Sequence, residues 1–451
     1  MKQKQTLTPE ARLAAAQLPR EAWPYALPAG WQWVRLGDIY DINPKNKAAD
    51  DTEASFITMS DIEAGMVSVY QTTEKPWGDI KRGHTHFADG DVAFAKISPC
   101  LENRKSMILH DLKNGIGAGT TELIVLRSQF VDKYYTFWLV NSEDFIRRCV
   151  ATYSGTVGQQ RVSMDFVKNY PVPLPPLSEQ RRLVQRIEGL FARLDAAAAK
   201  ITAASDAAAR RKVAILHAAF TGQLTEQWRE EQATQENATD LLRNIVATKQ
   251  QLIRAKKLKK EPTFPDVTSS ECLFEVPSSW CWTRIGQVFS LQAGKNIKGS
   301  EIHDQGEFPC YGGNGVRGYV TTCNREGEYP IIGRQGALCG NINFATGKFY
   351  ATEHAVTVET YGCDAHWAGY FLEIRNLNQF ATATAQPGLS VAKVNEVSIP
   401  LPPLPEQREI VRRLDALLAR EARASAAIER ARTELQRLRT AILARAFRGE
   451  L

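Results

Sequence analysis

The sequence predicts a mixed α/β protein: two α/β domains separated by two long helices that form an antiparallel coiled coil, with a pseudo-twofold internal repeat. Three features lead to this. Residues 173–224, beginning PLPPLSEQRRLV and ending AILHAAFTGQL, recur without a gap as 400–451, beginning PLPPLPEQREIV and ending AILARAFRGEL. A second pair, LPAGWQWVRLGDIYDI at 27–42 and VPSSWCWTRIGQVFSL at 276–291, opens each half of the chain. The shift is 227 residues from Pro173 to Pro400 but 249 from Trp33 to Trp282, so the stretch between opening and helix changes length. Loops accept insertions at little cost, whereas copies that drift in sequence at locked length mark a rigid element.

These marks divide the chain into an N-terminal extension (1–26), a first α/β domain (27–175), a first helix (176–224), a linker with a short helix (225–275), a second α/β domain (276–401) and a second helix (402–451). The extension is expected to cap the first domain or to dock a partner.

The helices follow from periodicity. Leu183, Ile187, Leu190, Leu194, Ala197, Ile201, Ala204, Ala208 and Ile215 step by threes and fours. Ile410, Leu414, Leu417, Ala424, Ile428, Ala431, Leu435, Leu438 and Ile442 repeat the pattern. A 3.5-residue repeat held over several heptads is a coiled-coil seam. Arg211 and Glu421 interrupt it, one in each copy. Pro405 suits a first helical turn, Gly222 and Gly449 suit helix ends, and the PLPP runs read as polyproline-like stops. Each helix of about 40 residues spans about 60 Å. Antiparallel packing brings the end of the first helix beside the start of the second, where the second domain must attach.

The bodies read as α/β by local pattern. In the first, GDVAFAKISP at 90–99 and TELIVLRS at 121–128 predict strands, and 134–148 a helix. In the second, CYGGNGVRGYV predicts a hairpin, YPIIGRQGALCG and GKFYATEHAVTVET predict strands, and 365–375 a helix. The linker stretch 240–260 predicts a helix, and its Lys256, Lys257, Lys259 and Lys260 are either phosphate contacts or a solvated helix end. The duplicated Trp31, Trp33, Trp280 and Trp282 either stack bases or anchor each domain's start in its core.

Composition sets bounds. A chain of 451 residues suits two cores, and a net charge of +6 permits nucleic-acid binding without requiring it. No apolar run reaches membrane-spanning length and the start, MKQKQTLTPEAR, has no signal-peptide core, so a cytoplasmic location is expected. The eight cysteines form no CxxC pair, and the spacing of Cys310, Cys323 and Cys339 matches no common zinc pattern, so no metal is expected. No GxxxxGK[ST] loop or NPPY-like tetrapeptide is present. GIGAG at 115–119 precedes a strand, not the helix a dinucleotide loop requires. His84 and His86 read as surface residues.

The order opening–body–PLPPLxEQ helix, written twice, resembles the DNA-specificity subunit of type I restriction–modification systems, over 27–451. GDVAFAKISPCLENRK in the first body, and YGGNGVRGYV, IIGRQGALCG and FYATEHAVTV in the second, resemble motifs of that family's target-recognition domains. The resemblance implies a subunit without catalysis that reads a bipartite, asymmetric target in double-stranded DNA. Its implied partners are two methyltransferase subunits and the restriction subunits, which would carry S-adenosylmethionine, ATP and Mg²⁺. A duplicated protein-interaction scaffold that binds no DNA is the alternative.

Base reading needs polar side chains on loops backed by a sheet, with Arg and Lys for guanine and Asn and Gln for adenine. Candidates in the first body are Lys81, Arg82, Lys96, Asn103, Arg104, Lys105, Thr120, Tyr153, Gln159, Gln160 and Arg161. In the second they are Lys295, Asn296, Lys298, Tyr311, Asn314, Arg317, Arg334, Gln335, Lys348 and His354. Arg334, between Gly333 and Gln335, is expected to reach a guanine, and Lys348 a phosphate.

Overall fold

The duplicated opening and the duplicated PLPP segment pair with each other. In the computed structural model, which describes residues 9–156, 158–232, 236–336, 338–381 and 388–451, strand Gln32–Arg35 runs antiparallel to Pro171–Leu174. Cys281–Arg284 runs antiparallel to Ser398–Leu401 in the same way, with Trp33 opposite Pro173 and Trp282 opposite Pro400. PLPP is therefore part of a strand, not a free polyproline stop. In each of these sheets the proline-bearing strand has one strand neighbour, so its other side is an edge where a missing N–H costs nothing. The clasp ties the two ends of each body together, and the body can change length without moving them.

The chain divides into two units, Met1–Thr202 with Glu429–Leu451, and Ala203–Ile428. In the first, an antiparallel sheet has the spatial order Asp41–Ile42, Leu123–Arg127, Val92–Ala95, Ser106–Ile108. Its central strands are buried on both faces, which is why they read as unbroken apolar runs. Val92, Phe94, Ile124 and Leu126 enter one core while Ala93, Met107, Leu123 and Val125 enter another. A second sheet, in the order Thr73–Pro76, Glu53–Ile57, Ile116–Gly119, Thr85–Ala88, accounts for the glycine-rich run. A Cβ at Gly117 would lie 2.2 Å from the Phe87 ring and 2.5 Å from the Ser55 carbonyl, so these glycines serve strand packing.

The second unit repeats the first unit's sheet. Ser290–Ala293, Ala355–Glu359, Arg325–Gly333 and Ile342–Ala351 stand in the same spatial order and are reached in the same chain order. The predicted hairpin, Phe308–Gly312 with Gly315–Val320, extends this sheet beyond Ile342–Ala351. One four-strand plan thus underlies both bodies, and they differ in what is inserted around it.

Helix boundaries depart from expectation in two places. The stretch 134–148 is two helices, Lys133–Val140 and Glu143–Val150. Ser142 breaks it by accepting the Phe145 N–H at 3.3 Å, an N-cap that competes with helix continuation. The linker helix runs Ala238–Arg254 and stops before Lys256, which takes a left-handed φ of 57°. The four lysines therefore lie beyond the helix and are exposed.

The long helices are Leu177–Phe220 and Leu404–Arg448. In the first unit Leu183, Val184, Ile187 and Phe191 share a core with Leu443, Ala446 and Phe447. In the second Ile410, Val411 and Leu414 share one with Leu216, Ala219 and Phe220. Polar contacts give the direction: in the first unit Arg182 reaches the Leu451 carbonyl and Asp195 pairs with Arg439. In the second unit Arg211 meets Glu421 and the Leu224 carbonyl accepts from Arg413, so the packing is antiparallel in each. Gly222 and Gly449 end the helices with φ of 81° and 74°. A Cβ on either would lie 2.5 Å from Pro277 Cγ or 2.3 Å from Pro28 Cγ, so each helix end seats on the opening proline of a domain. Among the described residues no helix is long and apolar enough to cross a membrane.

Candidate nucleic-acid interface

Both core sheets deliver a cation at the same turn. In the first domain strand Val92–Ala95 ends at Lys96, whose N–H donates to the Glu122 carbonyl at 2.9 Å. The Lys96 carbonyl accepts from the Val162 N–H at 3.0 Å. In the second domain strand Arg325–Gly333 ends at Arg334, whose N–H donates to the His354 carbonyl at 3.0 Å. The Arg334 carbonyl accepts from the Leu389 N–H at 2.9 Å. Val162 and Leu389 each precede a serine, Ser163 or Ser390, that caps a short helix.

From Gln335, the residue after Arg334, the second domain opens a cleft of about 790 Å³ lined by Asn314, Arg317, Gln335 and His354, with Gly313, Val316, Gly336 and Leu338; Arg334 itself is not part of the lining. The hairpin supplies Asn314, Val316 and Arg317, and the turn after Gly333 supplies Gln335 and Leu338. Gly333 lets these two meet, since a Cβ there would lie 2.1 Å from the Gly313 carbonyl. Val316 and Leu338 are half exposed, an apolar element that sequence reasoning did not single out. Asn314 accepts from Asn341 at 3.3 Å, and His354 lies 3.1 Å from Glu353. The other candidates lie apart from the cleft lining. Lys348 is exposed opposite Glu326, well along the strand pair from the Ile332–Ile342 end. Lys295 is exposed, the Asn296 carbonyl accepts from Tyr350, the Lys298 N–H donates to Glu301, and Tyr311 packs edge-on against Phe349.

In the first domain many candidates already hold protein partners. Lys81 pairs with Asp50, Arg104 with Glu143 at 2.6 Å, and Lys105 donates to the Met59 carbonyl at 2.7 Å. Arg161 forks onto Glu122 with contacts of 2.7 to 3.1 Å. Tyr153 donates to Glu102 at 2.7 Å, and burial followed by that carboxylate pushes its hydroxyl pKa up, so it stays a donor. Thr120 accepts from the Glu122 N–H at 3.2 Å. Lys96, Thr120, Gln160 and Arg161 meet around Glu122 and Ser98, where Ser98 N–H donates to the Gln160 carbonyl at 2.9 Å. Arg82, Asn103 and Gln159 are exposed.

Two residues outside the candidate set hold these platforms to the helices. Gln180 and Gln407, from the PLPPLxEQ repeats, are buried; each accepts the N–H of a helix-capping aspartate, Asp132 at 2.8 Å or Asp364 at 2.9 Å. Their amides donate back to Pro175 and Pro402 at 2.9 Å. The duplicated EQ dipeptide was the signal that could have identified them. The tryptophans answer the core alternative: Trp31, Trp33 and Trp280 are buried, and Trp280 donates to buried Glu406 at 2.7 Å.

His86 corrects the surface assignment of the histidine pair. It is buried against Trp77, accepts the Asn46 N–H at 3.2 Å and bonds the Lys81 carbonyl at 2.8 Å. Among the described residues no group of three or more His, Cys, Asp or Glu side chains could hold a metal. Burial pushes the thiols of Cys310 and Cys339 up, away from the thiolate a metal or a nucleophilic step would use.

The sequence matches the family described as type I restriction modification DNA specificity domain over residues 28–204 and 277–430, each match taking in one body and the start of its helix. Two Escherichia coli relatives are the specificity subunits of the type I restriction enzymes EcoAI, 33% identical over 326 residues, and EcoEI, 35% identical over 311. These matches cover 62% and 59% of this chain and 55% and 52% of the relatives, so the chain spans about half the length of the curated relatives it matches. The crystal structure of the HsdS subunit from Thermoanaerobacter tengcongensis superposes with a TM-score of 0.61 at 22% identity, over 95% of this chain and 99% of that one. A chain from a structure of type I R-M complex assembly and conformational transition gives a TM-score of 0.68 at 23% identity, over 95% and 100%. At these identities the structural likeness establishes the fold. With the family match spanning both halves, the chain belongs to the family of type I restriction modification DNA specificity domain proteins.

Proposed function

We propose that this chain is the sequence-specific DNA-binding subunit of a type I restriction–modification complex, which reads a bipartite, asymmetric target in double-stranded DNA. One observation carries the reading: the same four-strand plan occurs twice beneath unlike loops. A protein that reads two different half-sites needs one scaffold used twice with different side chains at its surface. The cleft with Asn314, Arg317, Gln335 and His354 offers the donors and acceptors that base edges require. The chain catalyses nothing itself in this proposal. Its long helices and domains dock two methyltransferase subunits, which hold S-adenosylmethionine and methylate adenine at N6, and restriction subunits, which hold ATP and Mg²⁺. The complex works in the cytoplasm, where bacterial DNA lies.

The test is to co-express the chain with its cognate methyltransferase subunit and map methylated adenines across the host genome. A recurring two-part motif with unlike halves and a fixed gap is expected. A complex that forms but methylates no recurrent motif would sink the proposal.

A further inference from the structure

We propose that Lys96 and Arg334 are a matched pair of phosphate contacts, one in each domain, which orient the domain on the duplex without reading bases. The inference rests on the DNA-binding reading above and deepens it.

The two residues have equivalent positions by backbone chemistry, not by sequence alignment. Each follows the last residue of the same core strand. Each N–H goes to the residue just before the return strand, Glu122 or His354, and each carbonyl takes the N–H just before the capping serine. The surrounding loops share almost nothing, yet both positions carry a cation. Lys96 is partly exposed and Arg334 is exposed, and neither side chain makes a hydrogen bond or ion pair among the described residues. Lys96 does lie close enough to Glu122 to lower that carboxylate's pKa, after the larger effect of Arg161. The neighbouring cations of the first domain differ: Arg161, Arg104 and Lys81 all spend their charge on carboxylates.

The argument for phosphate is one of common elements. Two domains that read different half-sites must differ where they touch bases. What they keep at an equivalent position should contact what the half-sites share, and that is the sugar–phosphate backbone. Either cation can meet a phosphate, lysine as a point charge and arginine as a fork, whereas a bidentate base-reading site does not tolerate the exchange. Holding the residue by both backbone groups fixes where its side chain starts while leaving the long chain free to follow a phosphate. Arg334 therefore moves from the guanine expected of it to the backbone.

The experiment titrates the full chain with a fluorescently labelled mixed-sequence duplex at a series of salt concentrations. The wild type should lose affinity linearly in log salt. Lys96→Gln and Arg334→Gln should each flatten the slope by about 0.9, and the double variant by about twice that. Lys96→Arg and Arg334→Lys should keep the wild-type slope, which separates charge from fold damage. In complex with the methyltransferase, all five variants should methylate the wild-type motif. A glutamine variant with the wild-type slope, or one that relaxes a base position in the motif, overturns the pair while leaving DNA binding intact. A wild type without salt-dependent binding would instead overturn the DNA-binding reading itself, and the pair with it.

Discussion

Arg211 and Glu421, the two residues that interrupt the apolar seams, meet each other: the guanidinium forks onto the carboxylate with contacts of 3.0 and 3.1 Å. Their equivalents under the 227-residue shift, Leu438 and Leu194, are both leucine. The repeat is thus symmetric in length but marked by one ion pair on one side. A polar pair in a helical seam gives up some stability and fixes register. Arg211→Glu should lower the thermal midpoint, and Arg211→Glu with Glu421→Arg should recover it. A swapped double no better than the single would show that the pair is incidental.

Gln180 and Gln407 tie each α/β domain to a long helix. Gln407→Ala would leave the Asp364 N–H and the Pro402 carbonyl without these partners in a buried place. Stranding such groups costs about 1–3 kcal/mol, more than losing a solvated hydrogen bond. Chemical denaturation should show this loss for Gln407→Ala and a similar one for Gln180→Ala. The two sites share no partners, so the double variant should be near the sum. A loss below the lower bound at both positions would mean that water replaces the amide.

His86 should make the first domain acid-sensitive. Burial lowers its pKa from the ordinary 6.5, although the hydrogen bond to the Lys81 carbonyl opposes that. The neutral ring fits: Nδ1 accepts from Asn46 and Nε2–H donates to Lys81. Protonation would place an N–H against the Asn46 N–H. The folded state therefore binds this proton less readily than the unfolded chain. Stability should be flat in this respect above pH 6.5 and fall as pH drops below it. Replacing the ring by a neutral amide, His86→Gln, should remove this part of the pH dependence. Parallel stability–pH curves for the two proteins below pH 6.5 would contradict it.

The helices, the repeat and the two-domain plan were legible because length and period survive sequence drift. The bodies were legible only as α/β. Their shared sheet escaped because its equivalences slide: the shift falls from 249 at Trp33/Trp282 to 238 at Lys96/Arg334, 232 at Asp132/Asp364 and 227 at Ser163/Ser390. Insertions around a sheet erase sequence register while backbone hydrogen bonds keep the geometry. The PLPP strand was missed because proline argues against a strand until a partner is known, and here the partner lies far away in sequence. For the interface, sequence supplied residue types but not their neighbours. Nothing local to Arg161 announces Glu122, and nothing local to Asn314 announces Gln335.

The long helices should set the gap between half-sites. They keep their length across two copies whose sequences have drifted, which is what selection on a distance leaves behind. Each added heptad lengthens a helix by about 10.5 Å. At 3.4 Å per base pair along a strand, that is about three base pairs. Antiparallel packing means that a heptad must enter both helices, for example after Ala203 and after its equivalent, Arg430. A heptad in one helix alone should break the apolar register and weaken folding. The paired variant, expressed with the methyltransferase, should methylate a motif with unchanged halves and a longer unspecified gap. The added twist of the duplex rotates one half-site relative to the other, so a lower methylation level is expected as well. A folded, active paired variant that keeps the original gap would show that the bound methyltransferases, not the helices, fix the spacing.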